Sequence, residues 1–111
     1  MKTTKTKKTA KPHRTHDEAT VESFRRDPKF AAAYLNAVLN DGDRAEIMTA
    51  LRYVTEAFGG VPGIAQKTNL NATTLYRTLS AEGNPELKSF MEIMKAVGMR
   101  ILVEPLSPAR R

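Results

Sequence analysis

The sequence predicts a mostly α-helical domain of five helices, built around a helix-turn-helix and closed by one short C-terminal β-strand. Three observations carry this. Acceptor, proline and glycine punctuation divides residues 27–98 into amphipathic helices, two short helical stretches flank a tight turn, and an alternating apolar run stops at Pro105. The chain has 111 residues, 41% of them hydrophobic, which suits one small domain with a modest core.

Residues 1–16 hold Lys2, Lys5, Lys7, Lys8, Lys11 and Arg14 and no acid, which accounts for the whole net charge of +6. The remaining residues balance twelve basic against twelve acidic side chains, so the basic character belongs to a tail. With no large apolar residue beyond Met1, that tail is expected to be disordered alone. It serves either as a solvated arm or as a phosphate-neutralising one. Residues 17–26 read as a transition, with Val21 and Phe24 as anchors onto the body.

Asp27-Pro28 supplies an N-cap acceptor and a proline suited to the first helical position. Behind it, Phe30, Tyr34 and Val38 recur at spacing four, with Leu35 beside them, until Asn40-Asp41-Gly42 ends the helix. Asp43 caps the second helix, whose stripe is Ile47, Met48, Leu51, Val54 and Phe58. The glycines of Gly59-Gly60-Val61-Pro62-Gly63 lack the Lys-Ser/Thr pair of a nucleotide-binding loop and read as a sharp turn.

A short helix from Val61 to Thr68 and a second from Asn71 to Leu79 form the helix pair. Ile64 and Ala65 face inward on the first, Asn69 accepts the unusual backbone of the turn, Leu70 plugs the core, and Asn71 caps the second. Leu75 and Leu79 anchor the second helix from beneath, sending Ala72, Thr73, Tyr76 and Arg77 outward. Residues 59–81 contain Lys67 and Arg77 and no acid, so the local field is positive although the body is neutral. These are the features of a helix laid in the major groove of double-stranded DNA. Ala72, Thr73 and Arg77 are the candidates for base reading, Arg77 through a bidentate contact to guanine. Gln66, Lys67, Asn71, Thr74, Tyr76 and Asn84 suit phosphates, which set position without reading sequence.

Gly83-Asn84-Pro85 is a tight break whose backbone is expected to lie open to phosphate. Leu87, Phe90, Met91, Met94 and Val97 then mark a fifth helix ending at Gly98. In the closing run Met99, Ile101 and Val103 alternate, with Leu102 apolar on the other side. A lone strand needs a partner edge, either its own copy across a two-fold axis or a strand of another protein. A homodimer would also set two recognition helices about one DNA turn apart. Residues 106–111 read as a flexible end.

Other chemistry is excluded by composition. There is no cysteine for disulfides or thiol catalysis. His13 and His16 lack companion ligands for zinc, and with both histidines in the tail no Ser/His/Asp set can be assembled, so no metal or cofactor is expected. No apolar run is long enough for a bilayer, and no hydrophobic stretch follows the N-terminal charges. A cytoplasmic protein without membrane attachment is the expectation.

Residues from about Asp27 to Pro105 resemble the HigA-type antidote proteins of bacterial addiction modules, which carry a lambda-repressor-like helix-turn-helix. The resemblance lies in Asp27-Pro-Lys-Phe-Ala-Ala-Ala-Tyr-Leu-Asn-Ala-Val-Leu39, Leu75-Tyr-Arg-Thr-Leu-Ser80, Gly83-Asn-Pro85 and Val97-Gly-Met-Arg-Ile-Leu-Val-Glu-Pro105. It implies an antitoxin, not an enzyme, that binds a cognate toxin of the RelE/ParE type and represses the shared operon. The chain departs from the family pattern in two places, with Asn69 where glycine is commonest in the turn and Thr78 where an apolar residue is usual. A stand-alone helix-turn-helix regulator without a toxin, and a protein-binding module that keeps the pair for packing only, are the alternatives.

Overall fold

Four helices of this chain begin where a short polar side chain accepts the first free N–H groups. The computed structural model describes residues 15–107, which form six helices: α1 (His16–Arg26), α2 (Pro28–Asp41), α3 (Arg44–Ala57), α4 (Gly60–Lys67), α5 (Ala72–Thr78) and α6 (Leu87–Ala96). Thr15 and Asp43 each form a full capping box, with Glu18 and Glu46 reaching back to the cap backbone. Asp27 accepts from the N–H groups of Lys29 and Phe30 with Pro28 at the first helical position, as its sequence predicts. Asn71 accepts from Thr74 N–H at 2.7 Å. The ends are equally specific: Gly98 at φ +85° lets Met99 N–H reach back to the Met94 carbonyl at 2.8 Å, a Schellman closure of α6.

The first correction is α1. Residues 17–26 are not a transition but part of an eleven-residue helix starting at His16, which raises the helix count from five to six. Phe24 is fully buried and meets the rings of Phe30 and Tyr34 edge-on at 5.5 and 5.1 Å. Arg25 donates to the carbonyls of Ala57 and Glu56, so the last turn of α1 covers the C-terminal end of α3 with a positive charge. The residues of the expected basic tail before Thr15 lie outside the described residues.

α1, α2 and α3 pack on one another to form the foundation, and α4 joins that base to both α5 and α6. Val54 and Ile64 are fully buried where α3 meets α4, and Leu75 and Ile93 carry the core into α5 and α6. Two helical faces are rotated from their expected positions. On α2 the innermost residues are Ala31 and Leu35, while Tyr34 and Val38 flank them and Phe30 is 45% exposed. On α6 they are Ile93, Met94 and Val97, while Leu87 and Met91 face out. In both, part of the expected stripe is kept, Leu35 on α2 and Phe90, Met94 and Val97 on α6, while Phe30, Leu87 and Met91 turn outward and Ala31 and Ile93 take the innermost places.

Among the described residues there is no strand. Met99, expected to open one, is half-buried and completes the end of α6, and residues 101–107 have no regular structure. Among the described residues this segment has no second edge to pair with. Ile101, Leu102 and Val103 stand 46%, 68% and 92% exposed, so the segment does not fold back over its own domain. No helix of the described residues is long and apolar enough to cross a membrane.

Candidate nucleic-acid interface

The helix pair is assembled by local chemistry that the sequence announces. Gly59 and Gly60, at φ +134° and +70°, turn the chain sharply from α3 into α4, a conformation that side chains with a Cβ resist. α4 buries Val61 and Ile64 against the core, with Ala65 partly buried beside them. The Thr68 hydroxyl then donates to the Ile64 carbonyl and accepts from Leu70 N–H, closing the helix and opening the turn with one side chain. Asn71 caps α5 four residues after α4 ends.

Within α5, Leu75 is fully buried, and Leu79, which caps the helix, is 3% exposed. At 100° per residue, Thr73 and Arg77 fall within about 20° of the line opposite Leu75, one turn apart. Both are exposed. Tyr76 is 61% exposed on one flank and Thr74 half-buried on the other, while Ala72 and Thr78 are half-buried towards the core. The apolar anchor is therefore Leu79; Thr73, Tyr76 and Arg77 are exposed, whereas Ala72, expected to face outward, packs against the core because it lies about 60° from Leu75 around the helix. Gln66 and Lys67 are exposed at the end of α4, beside the turn. Asn71 is exposed too, but its side-chain oxygen is committed to Thr74 N–H, which leaves only its amide nitrogen for an outside partner.

The loop after α5 differs from expectation. Gly83 is buried rather than open to phosphate, and its carbonyl accepts from Arg44 Nη1. A Cβ at this position would lie 1.9 Å from the Thr78 carbonyl oxygen, so glycine is required for close approach. Asn84, next to it, is exposed.

Sequence reasoning missed the polar tethers that hold this pair. Arg52 Nη1 donates to the Leu79 carbonyl at 2.8 Å and its Nη2 to Thr49 Oγ1 at 3.1 Å. A Glu92 carboxylate oxygen accepts from Asn69 N–H at 3.1 Å, binding the turn to α6. No local pattern signals the bonds from Arg44, Arg52 and Glu92 to Gly83, Leu79 and Asn69, because those partners lie 23 to 39 residues away in the chain. Two surface recesses lie elsewhere. One of about 450 Å³ sits between α2 and α3, lined by Tyr34, Asp41 and Thr49 among others, and one of about 520 Å³ runs along α1 beside Glu56. Neither includes a residue of α4 or α5. Among the described residues no group of His, Cys, Asp or Glu gathers to hold a metal ion.

Comparison with known proteins gives the face a context. An uncharacterized protein of Haemophilus influenzae is 31% identical over 71 residues, a stretch covering 64% of this chain and 72% of the relative. No solved structure matches the chain. The description of a probable addiction module antidote protein matches residues 18–105, which runs from the first turn of α1 through the exposed apolar segment after α6. With nearly all of the described fold inside that match, the chain belongs to the family of probable addiction module antidote proteins.

Proposed function

We propose that this chain is the antitoxin of a toxin–antitoxin pair, neutralising a toxin of the RelE/ParE type by direct binding and repressing their shared operon through α4 and α5. The protein is a cytoplasmic binding protein rather than an enzyme, and it needs no cofactor. Membership of the antidote family supports the toxin partner. The observation that carries repression is the placement of Thr73 and Arg77 on the exposed line opposite Leu75, on a helix pair without acidic side chains.

In that reading α5 enters the major groove of operator DNA. Arg77 donates both guanidinium arms to a guanine edge, and Thr73 meets a neighbouring base. Gln66, Lys67, Thr74, Tyr76, Asn84 and the Asn71 amide nitrogen hold the phosphates on either side. The residues before Thr15 add six positive charges and hence affinity that falls with salt. Ile101, Leu102 and Val103 form the partner strand, pairing across a two-fold axis in a homodimer or with an edge of the toxin. Exposed apolar side chains on both faces of this segment support burial by a partner.

The deciding experiment is co-expression with the neighbouring small reading frame, together with mobility shifts on the DNA upstream of the gene. A co-purifying complex, rescued growth and a specific shift are expected. A shift without a complex would make the chain a stand-alone regulator. A complex without a shift would leave the helix pair as packing only.

A further inference from the structure

We propose that Arg52 is a positioning residue for α5, setting the orientation in which Arg77 meets DNA; the assignment rests on the DNA-binding reading above. A helix of seven residues has too few internal hydrogen bonds to hold itself straight or fix its own direction. Its helix–helix packing is chiefly against α4. Leu75 and Leu79 hold it down, but both lie along one line, and an apolar line resists lifting far more than it resists rolling or sliding.

The polar tethers supply what that line lacks. Arg52 is half-buried on α3, its fork held by Thr49 Oγ1 on one arm while the other donates to the Leu79 carbonyl. Leu79 ends α5 and stands two residues beyond Arg77, so this bond fixes the turn that carries Arg77. The Arg77 carbonyl itself accepts from the Ser80 hydroxyl at 2.8 Å, joining the same turn. At the other end Glu92 holds Asn69 N–H, and beyond α5 Arg44 holds the Gly83 carbonyl. The pair is thus framed by charged side chains from α3 and α6. Among these bonds, Arg52 to Leu79 is the one made to α5's own capping residue. A guanidinium there also complements the negative end of the helix. A bidentate contact to guanine tolerates little misplacement, so a loosened last turn costs discrimination before it costs attraction to phosphate.

The test compares wild type with Arg52→Ala and Arg52→Lys on the duplex upstream of the gene and on a random duplex of equal length, across a salt series. Hydrogen exchange of the α5 amides in the DNA-free protein is read alongside. The expected result for Arg52→Ala is about a tenfold fall in the ratio of upstream to random affinity. The salt slope stays unchanged and α5 amides exchange faster, while Arg52→Lys, which keeps one donor and the charge, recovers part of the ratio. An unchanged ratio, or unchanged α5 exchange, overturns the assignment. So does an equal loss on both duplexes with a salt slope lower by about 0.9, which would make Arg52 a phosphate contact. If Arg52→Ala unfolds, Thr49→Val removes the other support of the fork and should lower the ratio by a smaller factor; no change would count against the proposal. A wild type that does not distinguish the duplexes overturns the DNA-binding reading itself, an outcome separate from an insensitive Arg52.

Discussion

The Tyr53 hydroxyl donates to a carboxylate oxygen of Asp17 at 2.5 Å, tying the first turn of α1 to the middle of α3. That hydrogen bond, with desolvation and the carboxylate's charge behind it, pushes the Tyr53 pKa up from 10.0 to about 12. An unfolded chain loses this proton near pH 10 while the folded one retains it, so the raised pKa adds stability below pH 10 that is lost as pH climbs towards about 12. Tyr53→Phe should destabilise by no more than about 1 kcal/mol near neutral pH, since the pair is largely exposed to water. The gap from wild type should close between pH 10 and about 12. Urea midpoints of both proteins across that range check this, and parallel curves would refute it.

Phe24 is the residue on which α1 depends. Phe24→Ala should cost about 3–5 kcal/mol, the usual loss for removing a fully buried aromatic side chain. Urea unfolding followed by circular dichroism measures it. A cost under about 1 kcal/mol would mean that α1 is not part of the cooperative core.

Thr55 is 2% exposed, and its hydroxyl has no hydrogen-bond partner. Thr55→Val keeps the shape and removes the unsatisfied group, so the variant should gain up to about 1 kcal/mol. A lower melting temperature for the variant would show that the hydroxyl is satisfied after all.

Gly83→Ala places a methyl group against the Thr78 carbonyl, and backbone rather than a flexible side chain must yield. The expected cost is about 1–3 kcal/mol, as for other overpacked sites. Because the displaced residue ends α5, operator affinity should fall as well. Thermal unfolding and mobility shifts on one preparation test both effects; a fully stable variant would show that the loop relaxes freely.

Arg77 is exposed, so Arg77→Ala should leave stability within about 0.5 kcal/mol of wild type. It should nevertheless remove about 1–3 kcal/mol of operator preference. Deleting residues 1–14, which ends before the Thr15 cap, should do the reverse: preference stays, and the salt slope drops by up to about 0.9 for each phosphate that the arm no longer neutralises. Identical behaviour of the two variants would contradict this division of labour.

What the sequence made legible was chemistry that acts within one turn. The caps at Asp27, Asp43 and Asn71 and the glycine stops at residues 42 and 98 could be placed because each acceptor and its N–H lie two to five residues apart. The same logic was available for α1, in Thr15 and Glu18. It was obscured by the neighbouring basic tail and by an apolar stripe reduced to Val21 and Phe24. Rotations are harder to read. On α6, Leu87 and Met91 fit the helical spacing of Phe90, Met94 and Val97 as well as Ile93 does, and only packing against α4 separates them. The face of α5 was legible because Leu75 and Leu79 offer no second choice. The tethers from Arg44, Arg52 and Glu92 were not, since a charged residue on an amphipathic helix has no local sign of its distant carbonyl or amide.

In the DNA-binding reading proposed above, the brevity of α5 limits how much information one copy of the protein extracts from a genome. Seven residues with one buried line leave two side chains, Thr73 and Arg77, squarely on the outer line, enough to specify two or three base pairs at about one or two per side chain. Picking one address among the ~10⁶ or more sites of a chromosome takes about ten specified positions, since each multiplies the choice by four. In that reading the shortfall is made up by repetition and by the mechanical character of the DNA between repeats. An operator for this protein would therefore be recognisable less by any single word than by the spacing of a short word and its inverted copy.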